Sequence, residues 1–309
     1  MTEITIGVLA LQGAFVEHLK LLRLAADELQ ARCAGAAAED SNGSGQNKDT
    51  ETLISADPEP VSTTQPLSST PPFRDPTQPL LPVLPFSLQI RLAEIRTPAQ
   101  LSRADALILP GGESTSISLI ASRTGLLEPL RDFVNVERRP VWGTCAGLIL
   151  LAEEAVSAGG SEGGRGTELI GGLDVRVQRN YFGRQVESFE ADLRLSFLDE
   201  TFHSVFIRAP VVEKVLLRIS SDDSHGKAGK GQGAAALPVE ILGRLPGRAK
   251  ALRDQTTTAE ELGEEGDIVA VRQGNVFGTA FHPELTGDAR IHQWWLREVV
   301  QEVLTRRSA

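Results

Sequence analysis

The sequence predicts an α/β fold, an open and mostly parallel sheet flanked by helices, in a single domain carrying disordered insertions. Three observations lead there. Short aliphatic and β-branched runs alternate with stretches of helical spacing. The runs are continuously apolar, as in strands covered on both faces. Glycines close two of them, GG at 111–112 and GTC at 143–145, where sheets of this kind place their ligands.

Taken in order, ITIGVLAL (4–11) suits a strand and FVEHLKLLRLAADELQ (15–30) a helix. LQIRLAEI (88–95) reads as a strand, ALILPGG (106–112) as a buried strand ending in a turn, SISLIASRTGLLEPLRDFV as a helix and PVWGTC as a further buried strand. After residue 169 strands dominate: LDVRVQRN, SFEADLRLSF, SVFIRAP, VEILGRL and IVAVRQGNVFGTAF, before DARIHQWWLREVVQEVL closes the chain as a helix. Three segments interrupt this order and are expected to be disordered insertions within one domain spanning 1–309. The first, 34–85, holds nine of the 17 prolines between Pro58 and Pro85, which excludes regular packing there. The others, 157–168 and 220–236, are Gly-rich and polar. Another acidic, polar patch lies at 254–267.

At 309 residues and 41% hydrophobic content the chain can bury a sizeable core. Its net charge of −10, without a basic stripe, argues against a nucleic-acid partner. Two cysteines, Cys33 and Cys145, cannot make a disulfide framework. No segment resembles a leader peptide or a membrane span, so a cytoplasmic location is expected.

Gly143-Thr144-Cys145-Ala146-Gly147 is a G-x-C-x-G sequence where a strand must turn into a helix. It is the thiol counterpart of the G-x-S-x-G elbow, whose small neighbours let backbone approach closely. A helix N-terminus favours a thiolate, and the Ala146 amide would face an oxyanion formed at the sulfur. By itself the motif fits equally well a Cys145 that is only a small buried hydrophobe. Of five histidines, His18 and His292 sit in helical patterns and His225 in a Gly/Lys-rich loop. His282 differs: it ends a strand in GTAFHPEL with Glu284 two residues on, and in extended chain i and i+2 share a face. A Cys145–His282–Glu284 triad follows, with the carboxylate orienting the base.

Together with GVLALQGAFVEHL (7–19), LILPGGESTSI (107–117), VQRNYFGRQVESFEADL (177–193), VFIRAP (205–210) and GTAFHPELTGDARIHQWW (278–295), these residues resemble the class I (triad) glutamine amidotransferases, a flavodoxin-like fold family, and specifically the glutaminase subunits of pyridoxal 5′-phosphate synthase. The similarity runs from the first strand to the last helix. It implies hydrolysis of L-glutamine to glutamate and ammonia, with ammonia passed to a (β/α)8-barrel synthase partner. It also implies an oxyanion hole from the amides of Gly112 and Ala146, and a glutamine site lined by Gly111, Gly112, Glu113, Arg179, Ile207 and Arg208. Gln12 would lie near the partner interface and the oxyanion loop. Neither cofactor nor metal is implied. Tyr181 departs from the family, where small residues are common, and is expected to crowd or cover the glutamine site. A thiol hydrolase of other γ-glutamyl substrates shares the elbow and H-P-E, and a non-catalytic regulatory subunit would lack a triad member, which this chain does not.

Overall fold

The computed structural model describes residues 2–42, 88–157, 167–181, 188–216, 237–246 and 266–308, with side chains left aside at 32–42. Most of the expected insertions, and the patch at 254–265, lie outside the described residues. Strand β1 (Thr2–Leu9) leads into α1 (Phe15–Asn42), followed by β2 (Leu88–Ile95), the short α2 (Pro98–Leu101) and β3 (Ala106–Leu109). Next come α3 (Ser114–Arg123), α4 (Leu127–Arg131), a π-helical turn (Asp132–Val136), β4 (Val141–Thr144), α5 (Ala146–Leu151) and β5 (Ala152–Ser157). Then follow β6 (Leu173–Arg179), β7 (Ser188–Leu193), β8 (Phe202–Ile207), β9 (Val211–Val215), β10 (Glu240–Leu245), β11 (Asp267–Gln273) and β12 (Val276–Thr279). A 3-10 turn (Pro283–Leu285) and α6 (Arg290–Ser308) close the chain.

The sheet runs β2-β1-β3-β4-β12-β11-β9-β6-β5, with β10 paired to β11, and β7 and β8 form a separate ribbon. Strands β2, β1, β3, β4 and β12 are mutually parallel, whereas β11 returns antiparallel beside β12. Strands β3, β4 and β12 are buried along their whole length, as continuous apolar runs require of a sheet covered on both faces. Helix α1 packs on α6, and α3 on α4 and α5. The core centres on Trp142, Phe133, Phe277 and Phe281.

The register positions the site. Leu109 pairs with Gly143 and Gly143 with Gly278, and one step on Thr144 pairs with Thr279. The residues that follow, Pro110–Gly112, Cys145 and Ala280–His282, therefore leave the sheet side by side at the carboxyl ends of three adjacent strands.

Four details differ from the sequence expectation. Helix α1 continues to Asn42, so residues 34–42 of the first expected insertion are helical, in keeping with the high helix propensity of an alanine-rich stretch. The single helix expected over 116–134 breaks at Gly125, whose φ of 69° ends α3, and continues as α4 and the π turn. AEEAVS forms strand β5, and VVEKV forms β9 beside β6; β5 follows α5 with no glycine or proline pause, and β9 is a short run interrupted by Glu213 and Lys214, so neither was legible as a strand. The last residues of the second expected insertion are ordered: the Ser118 hydroxyl donates to the Glu168 carbonyl (2.9 Å) and accepts from the Glu168 amide (2.8 Å).

A Cβ on Gly147 would run into the Leu109 carbonyl of β3, so the elbow closes only with glycine there. Gly147→Ala is expected to destabilise the fold by roughly 1–3 kcal/mol or more, measured by denaturant unfolding; a loss below about 0.5 kcal/mol would contradict this close packing.

Candidate active site

Cys145 occupies the corner between β4 and α5 with φ 48° and ψ −98°, a conformation costly for any residue with a Cβ. Its amide donates to the Thr279 carbonyl at 2.8 Å, tying the corner to β12. The thiol is unpaired, 7% exposed, and its Sγ lies 4.0 Å from the Ile207 carbonyl. The side chain of His282 is hydrogen-bonded to Glu284, Nδ1 to Oε1 at 2.7 Å, and its ring lies close enough to Cys145 for the sulfur to raise its pKa. The backbone amide of His282 is fixed on the Val205 carbonyl of β8 at 2.8 Å. The thiol, imidazole and carboxylate expected from the sequence thus stand in one row, and His282 and Glu284 are both buried.

The electrostatics follow from that row. Burial works against charge on His282, yet Cys145 and Glu284, with their negative charge, carry its pKa up to about 10. Burial likewise opposes ionisation of Glu284, but His18 and His282 hold its carboxyl below the usual range. The row is built to keep Glu284 ionised and His282 protonated when the sulfur is a thiolate.

The glycine turn packs directly on this row. A Cβ on Gly111 would collide with the His282 ring. The Gly111 carbonyl accepts from the Ala14 amide at 3.1 Å, and Gln12 Oε1 accepts from the Glu113 amide at 2.8 Å. The loop after β1 therefore grips the loop after β3 at Gly111–Glu113. Glu113 caps α3, its two oxygens accepting from the amides of Thr115 (2.9 Å) and Ser116 (2.6 Å). Burial pushes its pKa up, but these bonds prevail and the net direction is down. That capping role, unseen in the sequence, leaves the carboxylate the rest of its acceptor capacity.

Arg179 ends β6 and is buried, its Nε without a hydrogen-bond partner; burial lowers its pKa and the charge of Glu113 partly offsets this. Ile207 and Arg208 end β8, both exposed, and Arg208 has a left-handed φ of 46°. Ala146 opens α5 and is buried, whereas Gly112 is exposed. Tyr181 is half-buried with its ring against the hydrophobic core. Of four non-glycine residues with positive φ among those described, Cys145 and Arg208 are site candidates and Asn180 follows Arg179. Such strain gathers at functional sites.

Two residues set aside in the sequence as ordinary helical histidines stand directly behind the row. His18 and His292 are both 0% exposed. Only the fold could bring them together, since 274 positions separate them in the chain.

A thiol on a strained elbow, an imidazole and a buried carboxylate at the end of a mainly parallel sheet define a cysteine hydrolase of the triad amidotransferase type. The chain belongs to the SNO glutamine amidotransferase family, whose sequence profile matches residues 83–237 and 238–301. A relative named pyridoxal 5′-phosphate synthase subunit PdxT, from Thermococcus onnurineus, is 45% identical over 206 residues, covering 67% of this chain and 82% of its own. One from Arabidopsis thaliana, named a probable pyridoxal 5′-phosphate synthase subunit PDX2, is 42% identical over 221 residues, covering 68% and 77%. A solved structure described as a glutamine amidotransferase superposes with a TM-score of 0.54 at 31% identity, covering 96% of this chain and 98% of that one. Among the described residues no helix is long and apolar enough to cross a membrane.

Burial holds both His18 and His292 uncharged, with pKa lowered from 6.5 to about 3. A depressed histidine pKa means that the unfolded chain binds protons the folded chain refuses between those values. Their contribution to stability is therefore lost as pH falls from 6.5 towards 3, by about 1.4 kcal/mol per pH unit for each group. Denaturant unfolding from about pH 7 down to pH 4 is expected to show that decline, and His292→Leu to shed roughly half of this component; an unchanged slope in the variant would refute the assignment.

Proposed function

We propose that this chain hydrolyses L-glutamine to L-glutamate and ammonia, and that the ammonia passes to a pyridoxal 5′-phosphate synthase partner. The observation that carries the proposal is the thiol–imidazole–carboxylate row on the strained elbow, set in a chain of the glutamine amidotransferase family. Cys145 Sγ attacks the side-chain amide carbon, giving a tetrahedral intermediate whose oxyanion meets the amides of Ala146 and Gly112. His282 gives its proton to the departing nitrogen, ammonia leaves, and a γ-glutamyl thioester remains. Water, deprotonated by His282, then attacks the thioester carbonyl, and glutamate is released as the thiolate re-forms. Glu284 orients His282 throughout and stabilises its protonated form.

Glutamine is a zwitterion at neutral pH, so its site needs both signs of charge. Arg179 offers a guanidinium with an unpaired Nε, suited to the α-carboxylate, and Glu113 beside it offers acceptor capacity for the ammonium. Gly111, Ile207 and Arg208 complete the site, and Tyr181 borders it. Names of relatives at 42–45% identity support the partner. Free ammonia would be largely protonated in neutral water and lost as a nucleophile, which favours direct transfer. Gln12 links the first loop to the amide of Glu113, next to Gly112, so contact with a partner near Gln12 would reach the oxyanion site. A free cysteine at the site suits a reducing compartment such as the cytosol.

Glutamate release from glutamine is expected to rise when a cognate barrel synthase subunit is added, and Cys145→Ala to lower it by about four orders of magnitude or more. Equal turnover with and without the synthase would defeat the coupling, and an active Cys145→Ala would defeat the nucleophile assignment.

A further inference from the structure

Behind Glu284 lies a second row of buried imidazoles. His18, from α1, places Nε2 3.4 Å from Glu284 Oε2 and 3.2 Å from Thr144 Oγ1 on β4. Its Nδ1 is 3.0 Å from Nε2 of His292 on α6. Both rings are fully buried against Trp142, with ring centroids 5.5 Å and 4.8 Å away.

The tautomers follow from which atom goes without a partner. His292 Nδ1 is buried and has none. An N–H there would be an unmet buried donor, a larger cost than an idle lone pair, so the His292 proton sits on Nε2 and is donated to His18 Nδ1. His18 then carries its own proton on Nε2, the nitrogen facing Glu284 and Thr144. At 3.4 Å the approach to Glu284 is a close electrostatic contact rather than a hydrogen bond, the hydrogen bond of Nε2 being the one to Thr144 Oγ1. Apart from this approach, Glu284 Oε2 has no hydrogen-bonding partner although it is buried.

We infer that His18 is a positioning residue of the active site: its Nε2–H, oriented by His292, faces the second oxygen of Glu284 and holds that carboxylate ionised and turned towards His282. The inference rests on the triad proposed above. His282 supports Oε1 of Glu284 and His18 supports Oε2. The sequence of contacts is thus Cys145, His282, Glu284, His18, His292. The groups facing Glu284 are His282 from its own turn and His18 from α1. Those facing His18 are Glu284, His292 from α6 and Thr144 from β4, with the charge of His282 also felt. A neutral donor at this place supplies a dipole without adding a second cation beside the imidazolium of His282.

The pH consequence has a definite sign. An N–H dipole facing the second oxygen favours the ionised form of Glu284, whose pKa lies below the usual range, and a carboxylate with a depressed pKa is ionised above it. Removing the donor raises that pKa, so the acid limb of kcat moves to higher pH. The test measures kcat, KM for glutamine and their pH profiles for the chain with its synthase partner, as wild type, His18→Met, His18→Gln and Cys145→Ala. His18→Met is expected to lower kcat about tenfold or more, leave KM within about twofold, and raise the acid limb by about one pH unit. In His18→Gln the side-chain amide can restore the donor, and most of both effects should be recovered.

A folded His18→Met with wild-type kcat and acid limb overturns the inference, as do equal losses in both His18 variants with unshifted limbs, the mark of packing alone. An active Cys145→Ala would overturn the triad instead. Nitrogen-15 NMR of the unsubstituted chain provides a check independent of variant folding. His18 should be neutral, with its proton on Nε2, from about pH 5 to pH 8; a charged ring or a proton on Nδ1 overturns the inference.

Discussion

The site depends on one backbone constraint, the turn at Cys145. The chain leaves β4 and enters α5 within a single residue, which requires φ 48° at a position that cannot be glycine if it is to carry a thiol. Two contacts enforce this. The Cys145 amide is bonded to the Thr279 carbonyl, and Gly147 lies so close to Leu109 that α5 can approach β3 only without a side chain there. Strain of this kind costs about 1–3 kcal/mol and persists only where its surroundings overdetermine it. Here the neighbours β3 and β12 are fully buried strands, among the least deformable parts of the molecule. The sulfur is therefore placed by the sheet itself.

Much of this was legible beforehand, because the signals were local. G-x-C-x-G is a turn with its own steric logic, H-P-E spaces a base and a carboxylate by the period of extended chain, and a glycine pair after a buried strand marks a ligand-facing loop. Strands β3, β4 and β12 were equally plain, since full burial leaves a continuous apolar run. What escaped was whatever depended on pairing at a distance. VVEKV became β9 because β6 and β11 offer it partners. AEEAVS became β5 because α5 stops after six residues and β6 lies alongside. Glu113 proved to be a helix cap, although PGGEST gave no sign that its acid would turn back onto the following amides. His18 and His292 looked like ordinary helical residues because nothing in either helix points to the other.

The buried imidazoles make energetic sense only together with the carboxylate. Burying an ionised carboxylate alone costs on the order of several kcal/mol, and burying a neutral histidine with one nitrogen unpaired costs less. Joined in a row, each group meets a need of the next, with His292 donating to His18 and His18 facing Glu284. Two atoms of the row lack a hydrogen bond, His292 Nδ1 and Glu284 Oε2, and the second is the one that His18 faces. An apolar replacement of the whole row would pack at least as well, as buried ionic groups generally allow. The row is better explained by what it does for Glu284 than by stability.

The two halves of the site arrive from different sides of the sheet and meet at a single ring. Successive residues of a strand point to opposite faces, and the end of β4 uses this alternation: Thr144 turns to His18 while Cys145 leaves the strand end toward the glycine turn. The same division recurs at Thr279, whose carbonyl holds the Cys145 amide and whose hydroxyl accepts from Trp142 Nε1 at 3.2 Å, beneath the imidazoles. A shift of β12 against β4 would therefore disturb the sulfur and the row behind Glu284 together. His282, attached by its backbone to β8 and by its ring to both halves, is where such a shift would be felt first. The parallel register of β3, β4 and β12 thus fixes the relative positions of the sulfur and the imidazole, and the loops at Gln12 and Gly112, tied to each other through the Glu113 and Ala14 amides, close over the same strand ends.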